Sequence, residues 1–296
     1  MKPGEASRTA EYNALFRAIE SSRPRNRRLL DDPLAREFLD RSRLVYLLSR
    51  LPLIGRAIPF VMDWRWPGVR PSHIGRACWI DDRLQAALEK GIDQVVILAA
   101  GYDCRACRLA SLKGRPVFEI DHPDTLAEKM NRLSRVTGSL PDNVTFIGAD
   151  FARQDLGAVL DDSPFDRSSA TFFLLEGLLH YLDEEGAGRL LRSISSVSAP
   201  GSQLVFTYVH RGLLDGSIDF GDMGRVQNTL QRSGETWTFG LYPEEVSGYL
   251  AGMGFTLLSE VGSVEYRATY LGSSGRHLKG FEFYRIALAE KSGSRL

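Results

Sequence analysis

From residue 94 onward the chain alternates short β-branched or aromatic runs with longer stretches of helical character, and this alternation most constrains what it can fold into. Strands are expected at 95–100 (VVILAA), 116–120 (PVFEI), 144–149 (VTFIGA), 171–176 (TFFLLE) and 203–209 (QLVFTYV), with helices between them. The segment 183–198 opens on an acidic turn and stops before Pro200-Gly201, as a helix should. Parallel neighbours need crossovers, so the pattern predicts an α/β protein with a doubly wound, mostly parallel, Rossmann-like sheet. After 209 the pattern changes: a helix near 243–253 and strand-like runs at 255–261 and 280–289 predict an antiparallel C-terminal edge. Residues 1–90 read as a helical cap, in which Leu15, Phe16 and Ile19 share one stripe. This cap is expected to pack on a core of residues 91–296, with an excursion at about 210–240 covering the substrate.

Charge is balanced overall, 37 Lys and Arg against 37 Asp and Glu, but residues 1–80 carry 15 basic and 8 acidic side chains. The run Arg23-Pro24-Arg25-Asn26-Arg27-Arg28 is read as a solvated loop, or as one arginine for a small anionic ligand. No nucleic-acid motif accompanies it, so nucleic acid is not an expected partner. The opening residues lack the apolar stretch of a secretory signal, and three cysteines (Cys78, Cys104, Cys107) suit a reducing, cytoplasmic location. The apolar segment 44–62 is broken by Arg50, Pro52, Gly55, Arg56 and Pro59, which excludes stable membrane insertion. It reads as a lid or buried helical segment, the alternative being an amphipathic piece lying on a membrane surface. Cys104 and Cys107 form a C-x-x-C, but Gly101, Arg105 and Arg108 around it suggest another use of the turn than redox chemistry. No second C-x-x-C or histidine pair exists to complete a metal site.

Three strand ends carry acids: Asp103, Asp121 and Asp150. Ligands of open α/β sheets sit beyond such ends, and Asp121 lies twenty residues past Gly101, a spacing that suits hydrogen bonds to ribose hydroxyls. The competing use of Asp121 is as the cap of a helix beginning at Pro123. The loop Ala99-Ala100-Gly101-Tyr102-Asp103-Cys104 offers one of the three glycines of a dinucleotide fingerprint and sets an acid where a pyrophosphate would be repelled. A P-loop and a nucleophile-elbow motif are also missing from the sequence. An adenosine ligand with a cationic tail fits this turn, which describes S-adenosyl-L-methionine.

The stretches RTAEYNALFRAIESSRP, LLDDPLA, RWPGVRP, IDDRLQAAL, VVILAAGYDCRACRL, FEIDHP, NVTFIGADF, FFLLEGLLHYL, LVFTYV and WTFGLYPEEVSGYLAGMGF resemble the leucine carboxyl methyltransferase superfamily. The similarity is to its bacterial branch of S-adenosylmethionine-dependent and polyketide carboxyl O-methyltransferases, and it runs nearly end to end. It implies that Arg76 pairs with the methionyl carboxylate of the cofactor, a fork for which arginine is well shaped. It further implies that Gly101 lets the backbone approach the cofactor, Asp121 holds the ribose, Asp150 and Phe151 face the adenine, and Glu176 lies beneath the methionyl part. Arg28 matches the basic residue ahead of the D-P-x-A motif. The family reads G-A-G where this chain has Ala99-Ala100-Gly101, and a methyl group at 99 fits if that residue still belongs to the strand.

Methyl transfer is an in-line displacement that needs a nucleophile held close to the methyl carbon. A carboxylate acceptor is already ionised near neutrality, whereas a phenol titrates near 10 and calls for a base such as His180 or His210. Neither histidine lies in a motif that requires this. Tyr181, Tyr12 and Arg211, with Arg8 and Tyr208, lie in segments expected to face the site and position the acceptor. The first expectation is therefore an O-methyltransferase acting on a carboxylate of a small specialised metabolite, with S-adenosyl-L-homocysteine as co-product. The alternatives are a protein or peptide carboxylate, a phenolic hydroxyl, a non-catalytic S-adenosylmethionine-binding module, and, last, an NAD-dependent oxidoreductase.

Overall fold

A computed structural model describes residues 8–52, 54–151, 154–221, 236–276 and 281–293. The predicted apolar runs form strands β1 (Gln94–Leu98), β2 (Val117–Asp121), β3 (Val144–Gly148), β4 (Thr171–Leu175) and β5 (Gln203–His210). A two-residue β6 (Gly240–Leu241) is followed by β7 (Phe255–Gly262) and β8 (Tyr284–Lys291). They make one sheet in the order β3-β2-β1-β4-β5-β8-β7, with β6 beside β5. The β3 to β5 half is parallel throughout. The final pair is antiparallel, as the change of pattern after 209 predicts. Every residue of β1 and β4 is buried, which is why these two central strands read as unbroken apolar runs.

Side chains alternate between two faces. Val96, Leu98, Phe173 and Leu175 pack on one side with Leu190, Leu191 and Ile194 of the helix Glu184–Val197. Val95, Ile97, Phe172 and Leu174 pack on the other with Ile80, Leu84 and Leu88 of the helix Val69–Glu89. Residues 71–80 of that helix are buried on all sides, between the sheet, the N-terminal helices and the helix Ser263–Arg276. The last of these lies in the stretch between the two closing strands, where no helix is apparent from periodicity. Its Tyr266 packs so closely on Gly75 that a Cβ there would stand 3.0 Å from the ring. A third apolar cluster, with Ala14, Leu15, Phe38, Ile74 and Tyr102, covers the tip of β1.

One sequence expectation changes here. The segment 44–62 is helical, as Arg43–Ser49 and Ile54–Arg65, but it is not a buried segment: among its described residues Tyr46 and Met62 are the apolar side chains in the core. Of the excursion at 210–240, residues 222–235 lie outside the described residues. Its described ends are the short helix Arg211–Leu214 and β6.

Candidate functional site

The strand order reverses beside β1: β2 follows it on one side and β4 on the other, in register Leu98 with Ile120 and Leu98 with Leu175. The crevice at such a switch point is where open sheets hold ligands. Three successive tips, those of β2, β1 and β4, bring Asp121, Gly101 and Glu176 to one edge. Neighbouring strands stand about 4.8 Å apart, so the tips of β2 and β4 flank the β1 turn across about 10 Å of backbone.

At the β1 turn the backbone itself is unusual. Ala99 has left the strand and sits at φ +52°, and Gly101 at φ +45°. The methyl group of Ala99 is therefore accommodated in a left-handed backbone and not within the strand, which corrects the expectation above and puts strain at this turn. The amide of Gly101 donates to Asp121 Oδ2 at 2.6 Å, and the amide of His122 donates to Oδ1 at 2.6 Å. The following helix, Pro123–Thr137, is capped by His122 through Nδ1 and not by Asp121. The capping use of Asp121 is thus not the one the fold makes. Its carboxylate is half-buried, with burial raising its pKa against the two backbone donors. One lone pair on each oxygen is spent on an amide, leaving acceptor capacity for a diol.

Glu176, at the tip of β4, accepts from Arg76 Nε at 2.8 Å and from Arg105 Nη1 at 3.0 Å. Burial raises its pKa, but Arg105 and Arg76 outweigh this and hold the carboxyl far below the ordinary range. Arg76 also meets His73 Nδ1 at 2.7 Å and lies over the ring of Tyr284 at 4.6 Å. With Nδ1 accepting, the proton of His73 sits on Nε2, a buried atom without a protein partner. Arg105 continues the chain of charges to Asp103 and, at 2.7 Å, to Asp81, which Arg108 shares. Arg17 of the first helix, Arg8–Ser21, bonds Asp32 at 2.8 Å and the carbonyl of Tyr102 at 2.6 Å, so the N-terminal helices clamp the β1 turn. Asp32 is the acid of the D-P-x-A motif and also caps the turn at Ala35. Four arginines and four carboxylates thus interleave around a cleft lined by Arg17, His73, Asp103, Arg105, Arg108 and Glu176. Buried charges persist only when paired in this way.

Asp150 follows β3, its amide donating to Gln154 Oε1 and its carbonyl accepting from the Gln154 amide, while Phe151 packs against the sheet's apolar core. Arg28 stands apart from the arginine and carboxylate network, paired with Asp31 at 2.6 Å in the loop after the first helix. Of the residues expected to position the acceptor, Tyr181 lies nearest Glu176 in the chain, its ring 4.3 Å from His180 in the turn Leu179–Tyr181. Tyr12 is exposed on the first helix. Arg211 is committed to the carbonyl of Gly240 at 3.1 Å and to Glu245 at 3.3 Å. Tyr208 is a correction: its hydroxyl bonds Glu260 at 2.8 Å, which Arg285 also holds on the antiparallel edge, so it serves the sheet. The side chain of Arg8 lies outside the described residues.

His180 is buried against Trp237 and Tyr284, with burial and Arg76 lowering its pKa to about 3. His210 caps the helix Arg211–Leu214 by accepting from Gly212 at 3.0 Å. Burial pushes the thiol of Cys104 well up and that of Cys107 up to about 11, the opposite of an activated redox pair. Several side chains of the charged cluster escape a reading of the sequence: Arg17, Asp32, His73, Asp81 and Tyr284. His73 falls three residues before Arg76 on one helix, and that spacing is the signal that was present, whereas Asp81 joins the network through Arg105 and Arg108 of another element. Tyr284 comes from the far end of the chain and gives no such signal.

The sequence pattern of the leucine carboxyl methyltransferase family matches residues 10–195. A Mycobacterium avium (strain 104) protein described as a "Putative S-adenosyl-L-methionine-dependent methyltransferase" is 36% identical over 203 residues, 68% of this chain and 64% of its own length. A second protein of that description from the same strain is 36% identical over 222 residues, covering 74% of this chain and 70% of its own. Among solved structures, a "putative methyltransferase" from Thermobifida fusca YX superposes with a TM-score of 0.60 at 18% identity, covering 99% of this chain and 97% of that one. That likeness shows the fold alone. Both relatives are described as S-adenosyl-L-methionine-dependent, and the Asp121 carboxylate and the ion pair of Arg76 with Glu176 have chemistry that fits that cofactor. With its charged cleft at the switch point of the sheet and its motifs in order from residue 10 to 195, the chain belongs to the leucine carboxyl methyltransferase family.

Proposed function

We propose that the protein transfers a methyl group from S-adenosyl-L-methionine to a carboxylate of a small molecule, giving a methyl ester and S-adenosyl-L-homocysteine. The observation that carries this reading is the ion pair between buried Arg76 and half-buried Glu176 at the tip of β4, with the Asp121 acceptor two strands away. The methionyl end of the cofactor is a zwitterion, and a buried arginine beside a half-buried carboxylate is its complement. In this reading Arg76 takes the carboxylate, Glu176 the ammonium group, and Asp121 the ribose diol. Asp150 and Phe151 border the adenine, and Gly101 leaves its backbone free of side-chain bulk. When bound, the cofactor supplies a methyl group already activated by its sulfonium.

The protein's own contribution is then positioning and exclusion of water. A carboxylate acceptor needs no base. His73, which bonds Arg76, and His180 are both held neutral by burial and the charge of Arg76, His180 with a pKa of about 3, and both are too weak as bases to serve a phenol, which supports the carboxylate reading. Tyr181 is proposed to orient the acceptor. Helices of the N-terminal 90 residues and the excursion at 210–240 are proposed to form its pocket.

The test is calorimetric titration with S-adenosyl-L-methionine and, separately, NAD, followed by a screen of carboxylic acids, peptides and phenols for a methyl-group mass gain. Binding of S-adenosyl-L-methionine with mass gain on small carboxylic acids is the expected result. Gain on phenols or peptides alone would reassign the acceptor, and binding without any gain would make the protein a cofactor-binding module.

A further inference from the structure

An amphipathic helix ordinarily turns its apolar stripe to the core. The helix Arg43–Ser49 does the reverse. Leu44, Leu47, Leu48 and Leu51 recur at the i, i+3, i+4, i+7 spacing of one face, and all four are exposed, Leu44 to 66%. The opposite side chain, Tyr46, is the one that is buried. The next helix, Ile54–Arg65, presents Phe60 at 73% and Trp64 at 69% exposure, four residues apart, with Val61 beside them. More than half of the large apolar side chains that stand exposed among the described residues fall within residues 44–64. Scattered apolar residues on a surface need no explanation, but a contiguous patch of this kind does.

The charges around the patch say what covers it. Between residues 41 and 66 the sequence carries arginines at 41, 43, 50, 56 and 65 and a single acid, Asp63. That acid is held in a two-pronged contact by Arg70 at 3.0 and 2.6 Å, which leaves the segment basic. Arg43, Arg50 and Arg65 are exposed and flank the leucines and aromatics. Protein interfaces also enrich arginine and aromatic residues, so the deciding feature is the one-sided charge, five arginines against one acid that is already paired, which complements an anionic surface. Leucine, phenylalanine and tryptophan interleaved with arginine are the chemistry of a helix that lies in the plane of an anionic bilayer. Tryptophan favours the headgroup level, and arginine can keep its guanidinium there while its stem is buried. No helix among the described residues is long and apolar enough to cross a membrane.

We infer that the helices Arg43–Ser49 and Ile54–Arg65 form a peripheral docking surface for an anionic lipid membrane. The inference is independent of which acceptor is methylated. The full-length protein should co-sediment with vesicles of phosphatidylcholine and phosphatidylglycerol in equal parts, and much less with phosphatidylcholine alone. Two sets of substitutions, all at exposed positions, separate the contributions. Phe60→Ser with Trp64→Ser should weaken partitioning at least about tenfold. Each of Arg43→Gln, Arg50→Gln and Arg65→Gln should weaken it about fivefold, an effect that rising salt removes. Binding of S-adenosyl-L-methionine in solution should be the same for all of these variants, which verifies that they fold. Absence of vesicle binding, equal binding to both vesicle types, or binding untouched by the Phe60 and Trp64 pair would overturn the proposal. So would a concentration-dependent dimer, seen without vesicle binding and abolished by the same pair, since that would assign the face to a second copy of the chain.

Discussion

Arg76 and Glu176, one hundred residues apart in sequence, meet at 2.8 Å between the helix Val69–Glu89 and the tip of β4. Neither stands alone: His73 and the ring of Tyr284 flank the arginine, and Arg105 shares the carboxylate. This pair couples stability to ligand binding, because the groups that would meet a zwitterion also satisfy one another.

Replacing Glu176 by glutamine should expose that coupling. Arg76 and Arg105 lose their shared negative partner, and stability should fall by about 3 kcal/mol in chemical denaturation. Binding of S-adenosyl-L-methionine should fall at the same time. The pH dependence has a definite sign. The folded pKa of Glu176 is depressed by Arg105 and Arg76 against the effect of burial, so its contribution is present above the unfolded value of about 4.3 and is lost as pH falls below it. The difference in unfolding free energy between wild type and Glu176→Gln should therefore shrink in acid.

Asp121→Asn keeps the shape of the strand tip and removes one charged acceptor. The amides of Gly101 and His122 lose charge-assisted partners, and a ribose diol would lose a charged acceptor. Affinity for S-adenosyl-L-methionine should drop between about tenfold and a hundredfold in calorimetry. Unchanged affinity would remove Asp121 from the proposed cofactor site.

Ala99 at φ +52° can be relieved by glycine. A left-handed alanine costs about 1 to 2 kcal/mol, and glycine returns part of that through the entropy of the unfolded chain. Ala99→Gly is expected to stabilise the protein by about 0.5 to 1 kcal/mol, measured by denaturant midpoint at constant slope. A loss of stability would show that the methyl group packs usefully at the turn.

Buried neutral histidines give a second acid-side dependence. Burial and Arg76 lower His73 well below the usual value and His180 to about 3. The unfolded chain then takes up protons that the folded one refuses, so stability falls as pH drops below about 6.5, with a slope of up to about 1.4 kcal/mol per pH unit for each histidine. Subtracting the pH profile of His180→Asn from that of the wild type should isolate one such contribution.

Arg105 touches Asp81, Asp103 and Glu176 at once, a geometry that suits a planar fork and not an ammonium point charge. Arg105→Lys should destabilise the fold by about 3 kcal/mol even though charge is conserved. A near-neutral result would mean that water replaces the missing contacts.

The strands, their parallel arrangement up to β5, the antiparallel close and the acids at the strand tips are legible in the sequence alone, whereas the order of the strands in the sheet is not. The former are local properties: β-branched runs, turn residues and caps carry them within a few residues. The sequence also places Gly101 and Asp121 at a distance along the chain that one turn and one crossover can close, and the fold does close it. How charges are paired emerges only from the packed chain. Arg28, Arg211 and Tyr208 stand without visible partners in the sequence, and the fold gives them Asp31, Glu245 and Glu260. Asp81, Arg17 and Tyr284 look ordinary and become part of, or border, the buried network. The leucine stripe at 44–51 has a periodicity that cannot say which way it faces, because burial depends on what the rest of the chain brings alongside. Pairing across a hundred residues is a property of the packed sheet and its helices, and no local pattern encodes it.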